Sequence, residues 1–135
     1  MKRLYNFMVF VAILLTLGSC MLVDALFGSE EEPLIGIWRI DSSEPMFPNY
    51  DYLKFTATEY HIMDAERAIF ESGTRTEITD TSFRTVITRA DQEPSIIGNE
   101  NFAEFIVNDK ALSISWYDDA TKVIKFVTFT ATKTN

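Results

Sequence analysis

Hydrophobic and polar residues alternate along most of the chain after residue 33. The alternating runs are short, have a period of two and are rich in Ile, Val, Thr, Phe and Tyr, and no helical spacing continues long enough to predict a helix. The pattern therefore predicts β-strands. The nine runs are 34–41, 50–57, 59–64, 67–71, 74–79, 82–90, 101–108, 111–117 and 122–133.

Turn residues separate these runs. Asn, Asp and Lys at 108–110 predict a tight hairpin, because Asn and Asp tolerate left-handed backbone conformations. Asp, Asp and Ala at 118–120 predict a second hairpin, and Ser-Gly at 72–73 predicts a break between two strands. Only the links 42–49 and 91–100 are longer. Strands joined by such short links form an antiparallel meander.

An open meander exposes two edge strands, which promote aggregation. Because no helix is predicted to cover those edges, closure into a barrel is the simplest solution. We therefore predict an all-β fold, an up-and-down antiparallel meander closed into a small barrel of eight or nine strands over residues 34–135. A two-sheet sandwich is the alternative, since the two longer links could cross between sheets.

The first twenty residues have a different pattern. Lys2 and Arg3 precede a mostly apolar run, and small residues then lead to Cys20, the only cysteine in the chain. This is the layout of a secretory signal peptide. The ending LGSC resembles the bacterial lipobox, which implies removal of residues 1–19, attachment of a diacylglyceryl group to Cys20 and acylation of the new amino terminus. An uncleaved membrane-spanning helix over residues 4–23 is the alternative.

Residues 20–33 are predicted to be a lipidated cysteine followed by an acidic tether, in which Glu30, Glu31 and Glu32 are solvated. Met21 follows the cysteine where aspartate would favour retention, so the resemblance to lipoproteins implies a lipid-anchored protein of the bacterial cell envelope, at the outer membrane. The formal net charge of −8 argues against a nucleic-acid partner, because the phosphate backbone requires a clustered basic surface.

The first predicted strand of the barrel contains Gly36-Ile37-Trp38. A G-x-W in the first strand of a small exported β-meander resembles the lipocalin or wider calycin pattern, and the later segments LKFTATEYHI and ITDTSFRTVIT resemble the short lipocalin-like lipoproteins of bacteria. The resemblance implies that Trp38 plugs the closed end of the barrel beneath a ligand cavity, with Gly36 allowing a side chain to pack on the backbone.

The chain departs from that family pattern in three respects. No arginine follows Arg89, so Lys125 or Lys133 would have to stack on Trp38 from the last strand. The second lipocalin signature, Thr-Asp-Tyr, is present only as Thr-Asp-Thr at 79–81. The chain is also shorter than a typical lipocalin.

Candidate chemistry is sparse. His61 is the only histidine, and because it alternates with Tyr60 and Ile62 it should point outward if they point inward. The sequence has no His-x-x-x-His pair, second cysteine, calcium loop or glycine-rich phosphate loop, and the acidic pair at 118–119 is assigned to a turn. We therefore predict no catalytic residue, no metal site and no cofactor.

Two function classes remain. The first is a membrane-anchored binder of a small apolar ligand, whose inward positions include Leu53, Phe55, Tyr60 and Ile62. The second is a protein-interaction or inhibitor module, with a barrel that is filled and an acidic surface that suits a basic envelope protein. A continuous apolar cavity of about 300 Å³ or more would favour the binder.

Two apolar pairs lie in the longer links. Met46 and Phe47, between prolines, could form a ligand lid or a partner contact, or fold back over the end of the barrel. The pair Ile96-Ile97 allows the same alternatives.

Overall fold

A computed structural model describes residues 32–119 and 125–135. The predicted signal peptide, Cys20 and most of the predicted tether lie outside the described residues. The eight strands are β1 (Gly36–Glu44), β2 (Tyr52–Phe55), β3 (Glu59–Met63), β4 (Ile69–Thr79), β5 (Ser82–Ala90), β6 (Glu100–Asn108), β7 (Ala111–Tyr117) and β8 (Lys125–Lys133).

Every strand pairs antiparallel with the next along the chain, and β8 pairs with β1 to close a barrel. Trp38 illustrates the closure, since it lies opposite Leu53 on β2 and opposite Lys133 on β8. The prediction of an all-β meander closed into a barrel is confirmed, and closure excludes the sandwich. Leu53, Phe55, Tyr60 and Ile62 are all buried in the interior, as predicted.

The predicted break at Ser72-Gly73 is wrong. The fourth and fifth predicted runs form one strand, β4, with a register irregularity against β5 between these two residues. A Cβ atom at Gly73 would overlap the Tyr60 ring and the Val86 carbonyl oxygen. Gly73 therefore serves as a close-packing position, because only a residue without a side chain lets the Tyr60 ring cross the strand.

The predicted hairpin at 108–110 is present, whereas the second, at 118–120, extends into residues outside the described part of the chain. Asp109 has a φ of 56° in the turn between β6 and β7, in keeping with the tolerance of Asp for this conformation. Asp118 and Asp119 follow β7, which pairs with β8. The first long link is shorter than expected, since β1 continues to Glu44 by pairing with β8. The second contains a 3-10 turn at Pro94–Ile96.

Successive links of a meander lie at alternate ends of the barrel, so each end carries its own set of links. One end, here called the closed end, carries links 56–58, 80–81 and 109–110 together with the start of β1 and the end of β8. The other end, here called the mouth, carries links 45–51, 64–68 and 91–99 together with the end of β7 and the start of β8.

Trp38 lies buried at the closed end, where its Nε1 donates a hydrogen bond of 2.8 Å to the Leu34 carbonyl. Of the two lysines expected to stack on it, Lys133 does so, with Nζ 5.4 Å from the ring centroid. Lys125 is exposed at the opposite end of β8. Gly36, at a φ of 138°, provides the space, because a Cβ there would lie only 2.8 Å from Lys133 Cε.

A partly buried ion pair also stabilises the closed end. The Arg75 side chain is 2% exposed, and its two terminal nitrogens donate to the two Glu32 carboxylate oxygens at 2.7 Å. Arg75 also donates to the Thr56 carbonyl and lies 5.3 Å from the centroid of the Phe83 ring. The expectation that Glu32 is a solvated tether residue is therefore wrong.

Candidate functional site

A cavity of about 380 Å³ opens at the mouth of the barrel. Its walls come from the interior ends of several strands and from three of the mouth links, so no single element forms it. The described lining residues are Phe47, Tyr50, Tyr60, Ile62, Glu71, Ile87, Glu93, Ile96, Asn99, Asn101, Trp116, Asp118, Phe126, Val127 and Phe129.

Aromatic rings form much of the inner surface of the cavity. Trp116 packs among the interior rings, with its centroid 6.0 Å from that of Tyr60 and 5.9 Å from that of Phe129. Tyr50 lies 6.0 Å from Phe129 on the link side. Trp116 therefore belongs to both the packed core and the cavity wall.

The link 45–51 folds back over the mouth. Phe47 stacks on Tyr50 at a centroid distance of 4.9 Å, and its backbone N–H donates to Ser43 Oγ at 3.2 Å. Met46, by contrast, is 86% exposed. The apolar pair predicted at this tip is therefore divided: Phe47 lines the cavity, and Met46 points into solvent.

The link 91–99 is held against β5 by backbone hydrogen bonds. Gly98 donates to the Ile87 carbonyl at 2.8 Å, and Ile87 donates to the Asn99 carbonyl at 3.0 Å. This arrangement places Ile96 in the cavity wall, whereas Ile97 is 49% exposed. The second predicted apolar pair is divided in the same way as the first.

Glu71 brings a partly buried carboxylate to the cavity. The Tyr60 hydroxyl donates a hydrogen bond of 3.2 Å to Glu71 Oε2. Burial raises the pKa of Glu71 above its ordinary value, the Tyr60 hydrogen bond partly lowers it, and the charge of Glu93 raises it further. Burial, followed by the Glu71 charge, also raises the pKa of the Tyr60 hydroxyl.

The cavity has an acidic character. Glu93 and Asp118 line it together with Glu71, and none of the described lining residues is lysine or arginine. Burial raises the pKa of Tyr50 to about 12, and the charges of Glu71 and Glu93 contribute in the same direction. These four groups come from four different parts of the chain.

Two of the residues singled out from the sequence, His61 and Trp38, do not line the cavity. His61 alternates with buried Tyr60 and Ile62 on β3, as expected, and its ring is half-buried on the outer face with Nδ1 2.7 Å from Ser72 Oγ. Trp38 lies at the closed end, and Cys20 lies outside the described residues.

Glu71, Glu93 and Trp116 were missed as site residues by sequence reasoning. Alternation assigns Trp116 to the interior, since it follows Leu112 and Ile114 at a period of two. It does not indicate that the mouth links leave a cavity above it. For Glu71 the period-two pattern was obscured by the false break at the neighbouring residues.

In residues 32–119 and 125–135, no group of three or more His, Cys, Asp and Glu side chains is arranged to hold a metal ion. None of the described residues belongs to a helix with the length and apolar character needed to cross a membrane. Comparison with known proteins finds no matching family and no matching curated sequence. The lipocalin-like resemblance therefore stays a prediction, and the case for function depends on the cavity.

Proposed function

We propose that this protein binds a small, largely apolar molecule in the mouth cavity and does not catalyse a reaction. The observation that carries the proposal is the cavity of about 380 Å³ lined by aromatic and aliphatic side chains. Pockets for small molecules generally have volumes of about 300–1,000 Å³, with mostly apolar walls and a few placed polar groups. Glu71, Asn99 and Asn101 would be such polar groups here.

The cavity favours this function over the alternative of a protein-interaction module with a filled barrel. Binding rather than catalysis is supported by the position of His61, whose ring contacts Ser72 and Glu59 on the outer face of the sheet. The chain's single histidine is therefore not among the groups that a bound molecule would touch.

Tryptophan fluorescence tests the proposal, because the two tryptophans lie at different places in the barrel. The purified full-length protein, reconstituted in phosphatidylcholine vesicles, is titrated with phenylbutanol, phenylbutylamine and phenylbutyrate against protein-free vesicles. We expect at least one probe to change the emission saturably. The change should persist in Trp38→Phe and disappear in Trp116→Phe, because only Trp116 lines the cavity.

A variant that fills the cavity provides a second test. Ile87→Phe adds volume at a buried lining position, and Ile106→Phe makes the same substitution at a position that is 70% exposed on the outer face of β6. We expect Ile87→Phe to weaken binding at least about tenfold and Ile106→Phe to leave it unchanged, with far-UV circular dichroism confirming both folds. Absence of saturable binding for all three probes would contradict the proposed function.

We further propose that the protein acts as a lipoprotein of the bacterial cell envelope, anchored by acyl chains on Cys20 after removal of residues 1–19. The support is the sequence LGSC at the end of the apolar run, and more than one acyl chain gives stable anchoring. Cys20→Ala should remain unprocessed or move from the detergent phase to the aqueous phase. Mass spectrometry that finds an intact Met1 end on the protein from membranes would contradict this proposal.

A further inference from the structure

We propose that the mouth cavity selects an organic cation, a compact molecule with an apolar body and one protonated amine. This inference depends on the proposed function, because it concerns which class of small molecule the cavity holds. The supporting observation is that a cavity lined by aromatic rings also contains carboxylates that have no cationic partner among the residues that the structure describes.

The first step concerns charge balance. Glu71, Glu93 and Asp118 reach the cavity from β4, from the link 91–99 and from the end of β7. Within residues 32–119 and 125–135, none of the three forms an ion pair with lysine, arginine or histidine. Carboxylates that share a partly enclosed space repel one another and lose hydration, so a cation placed among them would relieve both costs.

The second step concerns the aromatic lining. Tyr50, Trp116 and Phe129 contribute to the walls of the cavity that the carboxylates face. The negative face of an aromatic ring attracts an ammonium group within about 6 Å, and the attraction is stronger when the cation is desolvated. The same lining also provides the contact area for an apolar body. Rings and carboxylates together therefore favour an amine attached to a hydrocarbon over a hydrated inorganic ion.

The third step concerns Glu71 itself. Its Oε2 accepts a hydrogen bond from the Tyr60 hydroxyl, which fixes the carboxylate, while a carboxylate has further acceptor sites for an ammonium donor. Burial and the charge of Glu93 raise the pKa of Glu71 despite the Tyr60 hydrogen bond, so both disfavour the ionised form. An ammonium group bound beside Glu71 would stabilise that form. A carboxylate ligand would instead meet three like charges.

The matched probes test the charge preference because they share one phenylbutyl body. In the full-length protein in phosphatidylcholine vesicles, we expect phenylbutylamine to bind at least about tenfold more tightly than phenylbutanol, the ratio that a charge-assisted hydrogen bond supplies. Phenylbutyrate should bind most weakly. If phenylbutanol or phenylbutyrate binds as tightly as the amine, the cation proposal is wrong while the binding function stands.

Variants assign the preference to the cavity carboxylates. Glu71→Gln keeps an acceptor for Tyr60 but removes the charge, so we expect the ratio of amine to alcohol affinity to fall to within about threefold of unity. Glu77→Gln, an exposed position on the same strand, should leave the ratio unchanged. Should Glu71→Gln fail to fold, Glu93→Gln in the link should lower the ratio severalfold. An unchanged ratio in both Glu71→Gln and Glu93→Gln would overturn the proposal.

Discussion

The two ends of the barrel use similar residues to different effect. At the closed end, Trp38 is covered by Lys133, and the Glu32 carboxylate is matched by both terminal nitrogens of Arg75. At the mouth, aromatic rings line a cavity of about 380 Å³, and the Glu71 carboxylate accepts a hydrogen bond only from the neutral Tyr60 hydroxyl within the described part of the chain.

The two carboxylates differ in whether a positive charge of the protein already pairs with them. The Glu32 carboxylate has a structural role beside Arg75, whereas the Glu71 carboxylate is available to a ligand. A carboxylate held by a guanidinium has its desolvation offset inside the protein, whereas a phenol supplies one hydrogen bond and no charge. A partly buried acid without a cationic partner, located in a cavity, is a candidate for function. If the two ends differ in this way, substitutions at the closed end and at the mouth should change stability differently, with the largest loss at Trp38.

Replacing Trp38 by alanine should destabilise the barrel by about 3–5 kcal/mol, because it removes a fully buried ring at the closed end. Urea denaturation of the full-length protein measures the change. Met46→Ala, at the exposed tip of a mouth link, is the control and should change stability by less than about 0.5 kcal/mol. A loss below about 1 kcal/mol for Trp38→Ala would mean that Trp38 is peripheral to the core.

Arg75→Met keeps much of the side-chain volume but leaves Glu32 and the Thr56 carbonyl without their donor, so we expect a loss of about 3 kcal/mol. Adding Glu32→Leu should restore part of that loss by removing the unmatched carboxylate. The control is Arg84→Met, because Arg84 forms an exposed pair with Glu100 at 3.5 Å and should cost at most about 1 kcal/mol. Equal losses for the two arginines would contradict a special role for the buried pair.

Glu71→Gln should stabilise the unliganded protein at neutral pH, by about 0.5–2 kcal/mol, the usual range for favourable single substitutions. Burial and the charge of Glu93 raise the folded-state pKa of Glu71, although Tyr60 partly opposes them, so the native state binds more protons than the unfolded state between the two pKa values. Stability of the parent therefore falls as the pH rises through the folded-state pKa.

A pH series of urea denaturation curves checks this prediction. The advantage of Glu71→Gln should disappear below the ordinary glutamate pKa of about 4.5 and increase as the pH rises above it. Glu32→Gln should have the opposite sign at neutral pH, because it removes the charge that matches Arg75. If both substitutions destabilise the protein, the two carboxylates do not differ as proposed.

The parts of the fold that depend on local alternation could be predicted from the sequence. A period of two assigned Leu53, Phe55, Tyr60 and Ile62 to the interior, and Asn-Asp at 108–109 identified a hairpin. These predictions succeed because the side-chain period and the turn chemistry are set by neighbouring residues.

Features that depend on distant residues could not be predicted in this way. The sequence predicts a break at Gly73, because the Tyr60 ring that packs on this glycine becomes its neighbour only once β3 and β4 are in register. Glu32 and Arg75 are 43 residues apart, and nothing local indicates that they pair. The cavity depends on how links 45–51 and 91–99 fold back, which alternation does not specify.

Both ends of the described barrel domain lie at the closed end. Lys133 Nζ is 3.4 Å from the Pro33 carbonyl, and Thr134 donates its backbone N–H to the Ile37 carbonyl at 2.9 Å. The mouth links consequently carry neither end of the domain, and changes in link length have a small entropic cost. Residues 45–51 and 91–99 can thus change in sequence and length while the eight strands stay the same. A new ligand preference can evolve in this way.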